Sequence, residues 1–379
     1  MSLCPSQSGS PVERSRTRLA GPTAKAIPLT RTAREVRRYF LLLLMAAYVL
    51  ATFLPGLGIA IRGVSLSWGS QHAIPIPTAL LAVLLFSAGL GADVTAILQW
   101  RRFFRALTLG VTASWFLGPL VAIALTIALS DFSETGYTSM CVAGLALVAV
   151  MPPANSAAAW IQSAGGSLPL GLSFLIVATL FCPLVAPGML NAISMAPPNG
   201  DAVALPHWNS TTLTLGVALP VVLGLIVRSF LSSATVKDLG PSLHLSNAAI
   251  LLLLNYCQAS LALPQLQSGG NAEIWWTAAA AAGLFTTALF CGGWLVARGM
   301  RVPREEQLAI LFGLGMKNTG AALALAGAAL AAQPAALLTI ILCTLSQHIL
   351  AACLDFLLRR GRPLTKGEHA TSSQSQDDA

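Results

Sequence analysis

Ten predominantly apolar stretches, each of about 17 to 25 residues and thus long enough to cross a bilayer core as a helix, run along the chain with short polar segments between them. They lie near residues 39–61, 74–92, 106–130, 139–156, 168–192, 208–231, 245–265, 274–297, 307–332 and 335–358. Two of them break their own pattern. The fourth contains Pro152-Pro153, which removes two backbone donors, and the ninth contains the glycine-rich segment Gly313-Leu314-Gly315-Met316-Lys317-Asn318-Thr319-Gly320.

Composition agrees with this pattern. The chain is 55% hydrophobic and only 9% charged, outside the range of soluble globular domains. A polytopic, all-α membrane protein is the fold class that follows. The seven cysteines (Cys4, Cys141, Cys182, Cys257, Cys291, Cys343 and Cys353) show no C-x-x-C spacing, so neither a disulfide framework nor a metal site is indicated. No cofactor is implied.

The basic residues orient the spans, because cytoplasmic loops collect Lys and Arg. With the N-terminus inside, the inner side receives Arg14, Arg16, Arg18, Lys25, Arg31, Arg34, Arg37 and Arg38 from the N-terminal tail and Arg101, Arg102 and Arg105 from the second loop. It also receives Arg228 and Lys237 from the sixth loop, Arg298, Arg301 and Arg304 from the eighth, and Arg359, Arg360, Arg362 and Lys366 at the C-terminus. All but two of the 22 basic residues are then cytoplasmic; Arg62 falls outside and Lys317 lies within the membrane. Ten spans with both termini cytoplasmic, in a cell (inner) membrane, is the predicted topology. The net charge of +8 is accounted for by this asymmetry and by lipid headgroups, with no nucleic acid partner required.

Residues 1–37 are rich in Ser, Thr, Pro and Arg and are predicted to be a disordered basic cytoplasmic tail without a signal peptide; an organelle transit peptide is the alternative reading. Residues 361–379 form a second polar tail. Between them, 38–192 and 208–360 each hold five spans, joined by a linker over 193–207 whose polar, Pro-rich part is Ala196 to His207. The fourth span of each half carries Asn-(Ser/Thr)-(Ala/Gly)-Ala-Ala just after its break: Asn155 to Ala159 in one, Asn318 to Ala322 in the other. Five is odd, so the second half enters the bilayer from the opposite side, and the halves are inverted repeats. Paired broken helices at the midplane point to a transporter binding site, since unwound backbone supplies carbonyls and half-helix ends supply dipoles. The helix breaks are placed at Pro152, Pro153, Gly313, Gly315 and Gly320.

Candidate chemistry centres on Lys317, the one charged residue inside an apolar span and away from its ends. An ammonium in hydrocarbon costs about 2.5 to 3.5 kcal/mol on insertion scales, which marks the residue as functional by default. It can act as a fixed cation, as a proton switch, or as a structural pin on backbone carbonyls. Asn155, Ser156, Asn318 and Thr319 can bind solute or cap the half-helices. Ser114 in the third span and Ser346, Gln347 and His348 in the tenth are polar groups that should pack beside the breaks; a hydrogen-bonded structural role is the stronger reading of His348. Asn255 and Gln258 share a face of the seventh span, lining a cavity or joining helices. No carboxylate lies mid-span, which disfavours a carboxylate proton relay or sodium site. H-E-x-x-H, G-x-S-x-G and Walker sequences are absent, so an enzyme is not indicated, and no filter repeat or charged ring suggests a channel.

Across residues 39 to 358 the chain resembles the bile acid:sodium symporter family. Gly315-Met316-Lys317-Asn318-Thr319-Gly320 is similar to that family's G-M-Q-N-S-G, and Phe86-Ser87-Ala88-Gly89-Leu90 resembles its M-F-G-M-G-L. The segment from Pro152 to Pro183-Leu184-Val185-Ala186-Pro187 keeps its spacing to P-L-L-T-P, and His348 matches a histidine of its tenth span. The resemblance implies a core of spans three to five and eight to ten, a panel of spans one, two, six and seven, and organic-anion transport by alternating access coupled to two sodium ions. The departures fall on the implied ion ligands. Gly313 stands at the acidic position, Lys317 at the amide, Ala157-Ala158 at a Ser-Asn pair, Gly171 and Leu175 at a Ser and a Thr, and Ser114 at a Gln. Sodium needs several hard oxygen ligands. The expected function is therefore a secondary transporter of an organic anion or amphipathic solute, sodium-independent, with Lys317 in place of the coupling ion. A symporter holding sodium on backbone carbonyls and a non-transporting membrane sensor are the alternatives.

Overall fold

The computed structural model describes residues 31–33, 35–36, 39–68, 72–92, 100–130, 137–196, 205, 210–268 and 272–360. Most of the predicted N-terminal tail and linker, all of 361–379, Cys4 and Asp93 lie outside the described residues.

The described chain is mostly helical. Its elements are α1 (Phe40–Phe53), α2 (Pro55–Gly63), a ribbon of β1 (Ser65–Trp68) and β2 (His72–Pro75), and α3 (Ile76–Leu90). A short 3₁₀ turn (Trp100–Phe103) leads into α4 (Phe104–Ser130), followed by α5 (Tyr137–Val150), α6 (Ala157–Ala164) and α7 (Leu168–Ser194). Then come α8 (Ser210–Leu213), a π-helical turn (Thr214–Ala218), α9 (Leu219–Phe230), α10 (Ser233–Ser268), α11 (Ala272–Gly299), α12 (Arg304–Gly315), α13 (Thr319–Ala329) and α14 (Pro334–Arg360). Five helical spans, one formed by the 3₁₀ turn continued into α4 and the others within α7, α10, α11 and α14, are long and apolar enough to cross a membrane alone, and α1 with α2 makes a sixth candidate bent by 93°. The remaining apolar stretches form shorter helices. Large apolar side chains such as Leu42, Leu50, Phe116, Leu120, Leu184 and Leu284 are exposed along these helices, a surface that lipid would cover.

Three features differ from the sequence expectation. An all-α chain was expected, yet β1 and β2 pair antiparallel, with Ser65 opposite Pro75 and Trp68 opposite His72. The first span was expected to be one helix; it bends at Leu54, whose non-helical backbone (φ −126°, ψ 58°) follows from the clash that Pro55 imposes on the residue before it. Arg228 and Lys237 were placed in a loop, but both are helical, and Arg228 is buried. Its Nε donates to the Ala92 carbonyl just beyond α3 and its Nη1 to Leu231, so the charge is spent on carbonyls that helix ends leave without donors.

The helices fall into two packed groups. α1, α2, α3, α9 and α10 pack chiefly on one another, as do α4 to α7 with α11 to α14, and α10 joins them by lying against α13 and α14. Small residues allow the closest crossings. Gly89 of α3 and Gly224 of α9 face each other, and a Cβ on Gly224 would stand 2.9 Å from the Leu90 nitrogen and closer still to the Phe86 carbonyl. Gly224→Ala is therefore expected to destabilise by about 1 to 3 kcal/mol through overpacking. Gly188→Ala in α7, where nothing lies within 4 Å, should be neutral or stabilising by up to about 1 kcal/mol. Thermal inactivation half-lives in detergent compare the two, and equal half-lives would show that the α3–α9 crossing can yield.

Candidate functional site

The two helix breaks meet. α5 stops at Val150, where Pro152 and Pro153 offer no N–H to continue the ladder, and α6 resumes at Ala157. α12 stops at Gly315, Met316 is extended (φ −112°, ψ 109°), and α13 resumes at Thr319. The segments between pair antiparallel, with Pro153 opposite Lys317. Ala154 N–H donates to the Met316 carbonyl (2.9 Å) and Asn318 N–H to the Pro152 carbonyl (2.9 Å). Backbone groups that each break would strand in an apolar interior are thus satisfied by the other break. Asn318 also caps α13, its Oδ1 accepting from Ala321 N–H at 3.0 Å.

Lys317 is 1% exposed, with its side chain directed at α4. Its Nζ donates to the Ser114 carbonyl (2.9 Å) and to Ser114 Oγ (3.1 Å). Its backbone N–H donates to Gln347 Oε1 (3.1 Å), whose Nε2 in turn donates to Thr319 Oγ1 (3.2 Å). Lys317, Thr319, Ser114 and Gln347 therefore form one buried network linking α4, the α12–α13 break and α14, with Asn318 beside it as the cap of α13. Among the described residues the salt bridge present is Arg359 with Asp355 (2.9 Å), and Lys317 takes part in none.

The other candidates are placed differently. Asn155 and Ser156 are half-buried at the α5–α6 break; Asn155 Nδ2 makes no hydrogen bond and Ser156 does not cap α6 with its side chain. His348 points away from the network: Nδ1 contacts the Thr344 carbonyl (2.8 Å) and its ring lies 5.7 Å from that of Phe40. Asn255 joins helices, Oδ1 accepting from Tyr48 Oη (2.7 Å) and Nδ2 donating to the Leu251 carbonyl (2.7 Å). Gln258, one turn later on α10, packs against Gly327 near the far end of α13. Gly320 sits under Leu251, bringing the start of α13 against α10.

Two bulky residues complete the site and carried no signal in the sequence. The ring of Phe174 fills the space beside Gly313, its Cδ1 standing 2.6 Å from where a Cβ would be, and Ile161 fills the space beside Gly171, with Cδ1 at 2.6 Å. Gly315 is closed in the same way by Phe290. Ala157 and Leu175 are buried and apolar. Around Lys317 the non-carbon groups include Ser114, the paired backbone and the Gln347–Thr319 bridge, with the buried Cys182 thiol within electrostatic reach of the ammonium. No group of three His, Cys, Asp or Glu side chains that could hold a metal occurs among the described residues.

Five or six candidate spans of the described chain are long and apolar enough to cross a membrane, and the family that the sequence matches is one of transporters, not of enzymes. The chain belongs to the SBF-like CPA transporter family, whose sequence profile matches residues 38–360, and which is related to the bile acid:sodium symporter superfamily. Two Bacillus subtilis proteins are similar to it. An uncharacterized protein, YbaS, is 25% identical over 224 residues, 58% of this chain and 70% of that protein. An uncharacterized sodium-dependent transporter, YocS, is 24% identical over 274 residues, 69% of this chain and 78% of that protein.

Proposed function

We propose that the protein is a secondary transporter of an organic anion or amphipathic solute, working by alternating access without sodium, with the Lys317 ammonium resident where related carriers hold a coupling ion. In this reading ten helices form two inverted five-helix repeats over 38–192 and 208–360, both termini are cytoplasmic, and α5–α6 and α12–α13 are the two broken crossing helices. The observation that carries it is the bonding of Lys317 Nζ to both oxygens of Ser114 beside the paired breaks, while Phe174 and Ile161 occupy the space in which oxygen-bearing side chains would be needed. A sodium ion requires several oxygen ligands, and the side chains present at Ala157, Ala158, Gly171, Leu175 and Gly313 supply none. A cation is already there, covalently attached.

The test is uptake into proteoliposomes of an organic anion that stabilises the purified protein. Replacing sodium by potassium should leave the initial rate unchanged within about twofold. A strong sodium requirement would sink the reading and support the second one, a symporter holding sodium on backbone carbonyls, which the description of YocS as sodium-dependent favours. Sodium-dependent thermal stabilisation of the purified protein would be its further sign.

A further inference from the structure

Away from Lys317, two polar side chains from different helices converge on Gly327 in the last turn of α13. About 12 Å of helix separates Thr319 from this point. Arg62, half-buried at the end of α2, donates from Nη2 to the Gly327 carbonyl. Carbonyls of a final helical turn lack intrahelical donors, so the guanidinium serves as a cap contributed by another helix. That bond uses one of the five N–H groups of the guanidinium.

Gln258 approaches the same residue from α10. It is fully buried, and its carboxamide lies so close to Gly327 that any Cβ there would collide with it. Neither its Nε2 nor its Oε1 has a hydrogen-bond partner. Asn255, on the same face of α10, is by contrast bonded at both ends, by Tyr48 and Leu251. Burying a carboxamide with both ends unpaired opposes folding, and leucine would fill a similar volume without that penalty. The hydrogen-bonding capacity of the amide is left open to a group that the protein itself does not supply. Arg62 is also within electrostatic reach of Cys257, the residue next to Gln258, which puts its charge beside the same stretch of α10.

We propose that Arg62 and Gln258 form an entry subsite for the carboxylate of an organic anion, distinct from the Lys317 centre. The guanidinium matches a carboxylate through two parallel N–H bonds, and Gln258 Nε2 donates to one of the same oxygens. In turning to the ligand, Arg62 gives up the Gly327 carbonyl. That releases α2, in one packed group of helices, from α13 in the other, so arrival of an anion removes one of the contacts between the groups at this end, the packing of α10 on α13 remaining. The proposal rests on the reading of the chain as an anion transporter and adds where the anion is first recognised.

The experiment uses the purified full-length protein, benzoate as probe and benzamide as its neutral isostere, at fixed ionic strength, with binding followed by titration calorimetry and stability by thermal unfolding. Wild type should bind benzoate and not benzamide. Arg62→Gln and Gln258→Leu should each weaken benzoate binding about tenfold or more. Arg62→Lys, which keeps the charge but loses the fork, should fall between. Gln258→Leu should melt at or above the wild-type temperature, since it removes an unpaired buried amide. Equal affinity in wild type and both variants overturns the subsite and leaves the transport reading standing. A clear drop in melting temperature for Gln258→Leu also overturns it, by showing the amide to be structural. No benzoate binding to wild type removes the subsite as well, and flux of an organic anion in the same preparation then decides the transport reading on its own.

Discussion

Gly313→Glu is expected to cost the protein more than about 4 kcal/mol of stability, enough that little monodisperse protein survives extraction in detergent. The substitution restores an acidic side chain at the position where the resembled family carries one, so it looks conservative by family pattern. Physically it is not. The Cβ alone would stand 2.6 Å from Phe174 Cδ1, and Phe174 is itself 1% exposed, so the ring cannot swing out to solvent without leaving the core. Overpacking of this kind costs about 1 to 3 kcal/mol. A buried carboxylate without a partner adds several kcal/mol, and the ammonium of Lys317 is already bonded to Ser114. Phe174→Ala should cost about 3 to 5 kcal/mol through the cavity it opens. Combining the two should recover part of the loss, because the glutamate occupies the space the ring vacated; residues in contact give coupling energies of about 0.5 to 3 kcal/mol. Thermal inactivation rates of wild type, both single variants and the double variant close the cycle. A single variant as stable as wild type, or strictly additive effects, would show that Phe174 does not guard this position.

What could be read from the sequence and what could not separate along a physical line. The apolar stretches and the breaks at Pro152-Pro153 and Gly313 to Gly320 are local properties of hydropathy and of backbone donors, and helices begin and end where those properties change. The bend at Leu54 was equally local: Pro55 signals it, but apolarity continues across the bend and hides it. The pairing of Pro153 with Lys317 depends on two segments that are distant in sequence finding each other's unpaired carbonyls and amides, which no window of the sequence contains. Asn255 and Gln258 make the same point from the other direction. Spacing put them on one helix face, yet Tyr48 engages one and nothing engages the other. Arg228 misled because a charge near a span end is ordinarily in a loop, whereas here the Ala92 and Leu231 carbonyls receive it inside the fold.

Lys317→Gln is expected to reduce uptake by two orders of magnitude or more, about 2.7 kcal/mol in transition-state terms, without creating sodium dependence. The amide matches the family motif at that one position, but Gly313, Ala157, Ala158, Gly171 and Leu175 still offer no side-chain oxygen, and Phe174 and Ile161 still fill the space. A structural pin makes a different prediction. If the ammonium only ties α4 to the α12–α13 break, then Lys317→Met should lower stability, and uptake should fall only as far as the folded fraction does. If the charge is functional, Lys317→Met should fold well, because replacing a buried charge by an apolar side chain of similar length is often neutral or stabilising, and yet be inactive. Uptake per folded molecule separates the two, and a value within about threefold of wild type for either variant would remove Lys317 from the mechanism. Lys317→Arg then tells a fixed cation from a proton switch. Arginine stays charged in proteins, so a fixed cation predicts retained uptake with an unaltered pH profile, whereas a switch predicts that the pH dependence of uptake disappears. The Ser114 contact separates the two physically: a fixed cation keeps α4 tied to the paired breaks throughout, whereas a switch would loosen that tie when Nζ loses its proton.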